Sequence, residues 1–229
     1  MFILRIVKIL LVLYAYLGCR TPQINCSPAD CYSAYFTNSS STIPWDSCQV
    51  ITSLHAPWEG NRKDKTTFRA FHNETSFIFR FQVEDNGIAV VDSDAESDVA
   101  LGDRVELFFA QDTSLNNYYC LEMSPNGRTL DYRASFYRKF DDKWNLDGLQ
   151  IQSSKNNSGY TITGIIPIVF FQQLTNTISL KGKKIKTGIF RAEKRTIGQS
   201  EDFSWYSWIS PRSKHPDFHI SSAFGTLSF

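Results

Sequence analysis

The sequence predicts an all-β protein, an antiparallel β-sandwich carrying one short helix. Three observations predict it. Apolar and polar residues alternate with period 2 in run after run from Thr66 onward. Aromatic residues, mostly Phe and Tyr, reach 14%. A single stretch, following Pro167, carries helical spacing. Many strands, short turns and one helix fit two packed sheets; a closed barrel is the alternative arrangement of the same strands.

The N-terminus comes first. Met1–Lys8 contains Arg5 and Lys8, Ile9–Leu17 is apolar, and Gly18 and Cys19 follow. A basic start, a short apolar run and a small residue before a cleavage point predict a secretory signal over residues 1–18. The run is shorter than the ~20 residues that span a bilayer; a tilted, retained anchor is the alternative. Tyr16-Leu17-Gly18-Cys19 resembles a bacterial lipobox, with Tyr where Leu is usual. The resemblance implies lipidation of Cys19 as the mature N-terminus and residues 19–42 as a tether. It also implies an exported outer-membrane or cell-surface lipoprotein, otherwise a periplasmic or secreted protein. Pro22, Pro28 and Asn38–Thr42 suit such a linker.

Residues 43–229 fit one domain. A net charge of +1 points to no nucleic acid. Cys26, Cys31, Cys48 and Cys120 permit three disulfide pairings, Cys26 and Cys31 closing a small loop. No cysteine spacing resembles a zinc site, and no nucleophile elbow, P-loop or dinucleotide fingerprint occurs.

Thr66–His72 reads as a strand and Asn73–Ser76 as a turn. Phe77, Phe79, Phe81 and Val83 then form an apolar face opposite Arg80 and Gln82. Val105, Leu107 and Phe109 point inward with Glu106 opposite; Tyr119, Leu121 and Met123 do so with Glu122 opposite. After the Ser124-Pro125-Asn126-Gly127 turn, Leu130, Tyr132, Ala134 and Phe136 alternate with Asp131, Arg133, Ser135 and Tyr137. Residues 160–166, 187–194 and 225–229 complete the strands. The helix begins after Pro167 and turns Phe170, Phe171 and Leu174 inward.

Arg80, Glu106, Glu122 and Arg133 fall opposite the apolar faces. They predict either a solvated face of weak cross-strand ion pairs or a polar platform whose carboxylates accept from, and guanidinium groups donate to, sugar hydroxyls. Asp92, Asp94, Glu96 and Asp98 alternate in one loop with the oxygen density Ca²⁺ takes; an ordinary acidic loop is the alternative. His215, Asp217 and His219 are a weaker metal candidate, and His219 is expected to hydrogen-bond the terminal motif instead.

Asp103-Arg104-Val105-Glu106-Leu107-Phe108-Phe109 resembles family 9 carbohydrate-binding modules. So do Gly188-Ile189-Phe190-Arg191-Ala192-Glu193, Trp205-Tyr206-Ser207-Trp208-Ile209-Ser210-Pro211, Pro216-Asp217-Phe218-His219 and Phe224–Phe229. The resemblance covers roughly residues 43–229. It implies a β-sandwich that binds sugars, often beside polysaccharide-degrading enzymes, with a terminal sugar clamped between two aromatic rings and calcium as an occasional structural ion. Trp205 or Trp208 stands where one ring belongs, and Glu106 matches the acidic residue. The other ring would precede Asp103, where this chain has Val99, Ala100, Leu101 and Gly102; Trp58, Tyr137 and Trp144 are the available substitutes. Trp205 and Trp208, three apart, face opposite sides of a strand. Trp208 is taken as the exposed one, because Phe203 shares the side of Trp205.

The expected function is a non-catalytic carbohydrate-binding domain at a membrane surface, for polysaccharide capture or degradation, needing no cofactor. The alternative is a xylanase-like glycoside hydrolase, or an accessory subunit of one. Glu106 and Glu122 would be its carboxylate pair, although Arg80 and Arg133 would keep both ionised where a general acid needs a raised pKa. A structural, protein-binding sandwich is the third possibility.

Overall fold

The computed structural model describes residues 27–38, 43–197 and 200–229. Residues 1–18, where a signal segment is predicted, and Cys19 and Cys26 lie outside the described residues. The strands within them are β1 (Cys31–Ser33), β2 (Tyr35–Phe36), β3 (His55–Ala56), β4 (Arg62–Lys63), β5 (Thr66–His72), β6 (Ser76–Glu84), β7 (Arg104–Ala110), β8 (Tyr118–Met123), β9 (Thr129–Ser135), β10 (Lys139–Asp141), β11 (Gln150–Asn156) and β12 (Gly159–Pro167). Helix α1 (Ile168–Thr175) follows, then β13 (Lys184–Ile197), β14 (Ser200–Ser207) and β15 (Gly225–Ser228). A ten-stranded sheet runs β10-β9-β8-β7-β13-β14-β3-β4, with β15 on β13 and β1 on β15; a five-stranded sheet runs β11-β12-β6-β5-β2. All pairs are antiparallel except β1–β15 and β2–β5. This is the predicted sandwich.

The alternation explains the main core. Phe77, Phe79, Phe81 and Val83 from one sheet meet Val105, Leu107, Phe109, Leu121 and Met123 from the other. Helix α1 closes one end of it. Pro167 fixes the entry, Phe171 packs 5.1 Å from both Phe77 and Phe109, and Asn176 ends the helix in the left-handed region, φ 49°. The other end is closed by buried Arg191, which meets Asp64 at 3.2 Å and Asp85 at 2.5 Å.

The large sheet is covered on its outer side as well. Phe108, Tyr118, Cys120, Tyr132, Ala134 and Phe190 form a second cluster beneath Phe218 and Phe224 of the C-terminal segment, where Phe218 stacks on Phe190 at 4.0 Å. This reverses the predicted phase of β9. Tyr132 is opposite Cys120, and Ala134 opposite Tyr118, so these residues belong to the outer cluster. Arg133 points to the other side and bridges exposed Asp141 at 2.6 Å. Periodicity shows two faces but not which one a distant segment covers.

Two further expectations change. The tether ends before residue 31, because β1 and β2 are paired strands and Tyr32 and Ala34 are buried. The Tyr32 hydroxyl donates to the Gln49 carbonyl at 2.8 Å and accepts the Ala70 N–H at 2.6 Å. Strands of two or three residues are too short to display a period. Among the cysteines, Cys31 is disulfide-bonded, whereas Cys48 and Cys120 are free.

Trp208 is the second correction. It lies in the main core, its Nε1 donating to the Ala29 carbonyl at 3.1 Å. A Cβ on Gly225 would collide with its ring, so glycine is required there for close approach. Trp208→Ala is therefore expected to cost roughly 3–5 kcal/mol of stability, read by chemical denaturation.

Candidate functional site

Beside Phe218 and His219 of the C-terminal segment, charged residues replace aromatic ones on the outer face of the large sheet. Arg104, Ala192 and Trp205 form one cross-strand row over β7, β13 and β14; Glu122 and Glu106 are direct partners in the next row on β8 and β7. Period 2 puts Arg104 and Glu106 on the same side of β7. The Arg104 Nε donates to Glu106 Oε1 at 2.9 Å and lies 2.7 Å from Glu122 Oε2. Its Nη1 donates to the Ala100 carbonyl at 2.9 Å. The guanidinium sits 5.3 Å from the centre of the Trp205 ring and 5.6 Å from that of Phe203.

Tyr132 donates to Glu122 Oε1 at 2.9 Å. Glu122 Oε2 is an ion-pair partner of Arg104, yet it receives no hydrogen bond within the protein, because the single Nε–H is directed at Glu106. Arg104, Glu106, Glu122, Trp205, Asp217 and His219 line a cleft of about 240 Å³. Arg138 stands at the rim, its Nη2 on Asp217 Oδ1 at 2.8 Å. The Tyr137 hydroxyl donates to Asp217 Oδ2 at 2.7 Å. Behind the site, the buried Asp103 carboxylate accepts the Ala89 N–H at 2.9 Å and the Lys194 N–H at 2.6 Å, tying the preceding loop to β13.

The electrostatics follow from burial. Desolvation, and then the Glu122 carboxylate, push the Glu106 carboxyl up to about 8 against the opposing pull of Arg104. The cleft thus sets two carboxyl groups beside a guanidinium, which together can donate to and accept from hydroxyl groups. Burial holds His219 down at about 4, so its ring is neutral; its Nδ1 shares a 3.0 Å hydrogen bond with Tyr118.

The structure unites Trp205, Glu106 and Glu122 and separates the other candidates. Arg80 is on β6, in the opposite sheet. Arg133 is on the reverse side of β9, and Trp208 is in the core. Arg104, not Arg80 or Arg133, is the cation between the carboxylates; the Arg104–Glu106 spacing within one strand was the available signal. Trp205 shares its side with Phe203 as expected, but that side is the cleft, not the core. Asp92, Asp94 and Asp98, with Glu96, form no cluster: among the described residues no group of three or more metal-binding side chains is gathered, and this includes His215, Asp217 and His219.

Leu101, which is exposed, occupies the region where the resemblance implies a second ring. Of the substitutes, Tyr137 is at the rim. Trp58 packs near Phe218 at 5.9 Å, and Trp144 packs against Tyr119 at 4.8 Å, on the main-core side.

The model of carbohydrate-binding family 9 matches residues 46–229, and the chain belongs to that family. No curated protein matches it. Among solved structures it is similar to a candidate carbohydrate-binding protein from Bacteroides uniformis. The identity is 20% and the TM-score 0.68, over 87% of this chain and 98% of that one. It is also similar to a family 9 carbohydrate-binding module from Caldicellulosiruptor kristjanssonii in two complexes. With glucose the identity is 9% and the TM-score 0.56, over 86% and 94% of the two chains; with cellotriose they are 9% and 0.58, over 86% and 92%. These likenesses speak for the fold alone.

A carboxyl whose folded pKa lies above its unfolded value binds a proton that the unfolded chain has released. Its contribution is full below the unfolded value of 4.5 and is lost as pH rises through about 8. Stability is thus expected to fall across this window, and Glu106→Gln, which mimics the protonated carboxyl, to flatten the decline. Denaturation series across the window check this.

Proposed function

We propose that this chain is a non-catalytic carbohydrate-binding module whose ligand enters the cleft beside Trp205. One observation carries the proposal: an aromatic ring stands next to a buried Arg104–Glu106–Glu122 set in a cleft of about 240 Å³, where Glu122 Oε2 is paired with Arg104 in charge but accepts no hydrogen bond within the protein. A ring face packs on the apolar C–H face of a pyranose, while charged donors and acceptors take the hydroxyls. Family membership, and the glucose and cellotriose bound by the Caldicellulosiruptor kristjanssonii module, support the same ligand class.

Arg104 engages both carboxylates and Tyr132 holds Glu122. The arrangement suits binding better than attack on a glycosidic bond, since a nucleophile must be free to reach it. The lipobox-like residues 16–19 support export and display of the module at a membrane surface, where it would capture polysaccharide alongside degrading enzymes.

Calorimetric titration with neutral mono- and oligosaccharides tests the proposal. Trp205→Ala is expected to weaken binding at least tenfold, about 1.4 kcal/mol or more. Absence of binding by the folded wild-type chain to every sugar refutes it. Release of reducing ends from xylan or glucan, abolished by Glu106→Gln, would turn the assignment to a hydrolase.

A further inference from the structure

The outer face of the five-stranded sheet takes no part in this cleft, and it is unusually rich in groups that hydrogen-bond. Two cross-strand rows run over β11, β12, β6 and β5. One is Ser154–Thr161–Gln82–Thr67, the other Gln152–Thr163–Arg80–Arg69. Lys65, Thr67, Arg69, Gln82, Ser154 and Asn156 line a shallow groove of about 340 Å³ along it.

Arg69 and Arg80 are direct cross-strand partners, an arrangement that is destabilising for like charges. Neither meets a carboxylate among the described residues. Arg69 Nη1 donates to Thr67 Oγ1 at 3.3 Å and to Gln82 Oε1 at 3.1 Å. Arg80 Nε donates to Thr163 Oγ1 at 3.3 Å, and its guanidinium lies 4.1 Å from the centre of the Trp45 ring. The neighbouring acid, Glu84, is taken by Lys65 at 2.8 Å. Arg62, Arg104, Arg133, Arg138, Arg191 and Arg195 each have a carboxylate partner, while Arg128, away from this face, donates to the Ala95 carbonyl. Burial and the charge of Arg69 hold the Arg80 pKa below its ordinary value. Folding therefore brings two guanidinium groups together on a polar face and supplies no anion for them.

We propose that this face is a second binding surface, for a uronate-bearing polysaccharide. Arg69 and Arg80 receive sugar carboxylates on their free guanidinium edges, and Gln82, Thr67, Thr161 and Ser154 bond ring hydroxyls. A guanidinium fork matches a carboxylate. Strands about 4.8 Å apart set the successive groups of each row at roughly the length of one sugar unit. Two cations with Glu84 at the edge suit one carboxylate per sugar, not the denser charge of a heavily sulfated chain. Nucleic acid is disfavoured: Trp45 is capped by Arg80 and packs on buried Phe71, so neither ring beside the two rows offers an open stacking platform. The proposal is independent of the Trp205 cleft.

Affinity electrophoresis of the full chain in polygalacturonate, and in its fully methyl-esterified form, tests it. Polygalacturonate is expected to retard the protein, at least about tenfold more strongly than the uncharged ester, and added salt is expected to weaken the retardation. Arg69→Gln combined with Arg80→Gln is expected to remove most of it. Arg69→Lys with Arg80→Lys keeps the charge and loses the forks, and is expected to weaken it several-fold. Trp205→Ala is expected to leave it unchanged. The proposal is overturned by an absence of retardation, by equal retardation in the ester, or by full retention in either double variant. Loss in Trp205→Ala overturns it too, since that would place the chain in the cleft, as does equal or tighter binding of DNA or dextran sulfate. Thermal melting of each variant shows that it is folded, and if the Gln pair unfolds the Lys pair decides.

Discussion

Strand β7 is buried at all seven of its positions, and the arrangement of the large sheet follows from that constraint. Alternate residues feed two separate interiors. Val105, Leu107 and Phe109 enter the core between the sheets; Arg104, Glu106, Phe108 and Ala110 enter a second layer under the C-terminal segment. A charged side chain in the second layer loses its hydration, which costs several kcal/mol per ion unless partners replace the water. Arg104 therefore needs Glu106 and Glu122, and the carboxylates need it. Desolvation raises the pKa of the Glu106 carboxyl, which limits the negative charge buried with Arg104. What is left over, an acceptor oxygen with no donor beside an aromatic ring, is what a hydroxyl-bearing ligand would complete.

The second sheet lives under the opposite condition. Its inner side is in the core, its outer side is open, and β11 is exposed along most of its length. Charges there stay hydrated and cost little, so Arg69 and Arg80 can stand opposite each other. The same sandwich thus holds guanidinium groups in two regimes: buried and ion-paired with acids around Arg104 and Arg191, half-exposed and without acids around Arg69 and Arg80.

Much of the architecture was legible locally. Strand β5 spans the predicted residues, β6, β7, β8 and β12 differ by a residue or two, and α1 starts directly after Pro167. The turn at Gly127 has the positive φ, 82°, that glycine favours. Strand β11 was not predicted, since its largely polar residues, forming an edge, have no apolar side to alternate with. In the site, Trp205, Glu106 and Glu122 could be chosen from residue type and from resemblance. For Arg104 the local signal was its i, i+2 spacing from Glu106, but that Arg80 and Arg133 lie apart from the two carboxylates depended on which strands are neighbours.

The sequence by itself determined the longer alternating strands, the helix, the family and the opposite orientation of Trp205 and Trp208, because each is written in a pattern spanning a few residues. Only the tertiary structure decided which side of each strand was covered. Burial of Trp208 depends on Gly225 and Ala29, burial of Arg104 on strands β8 and β14, and the reversed phase of β9 on Phe218 and Phe224. Those partners lie well beyond the few residues that a strand pattern spans, and alternation along a strand records that two faces differ without recording what will lie against them.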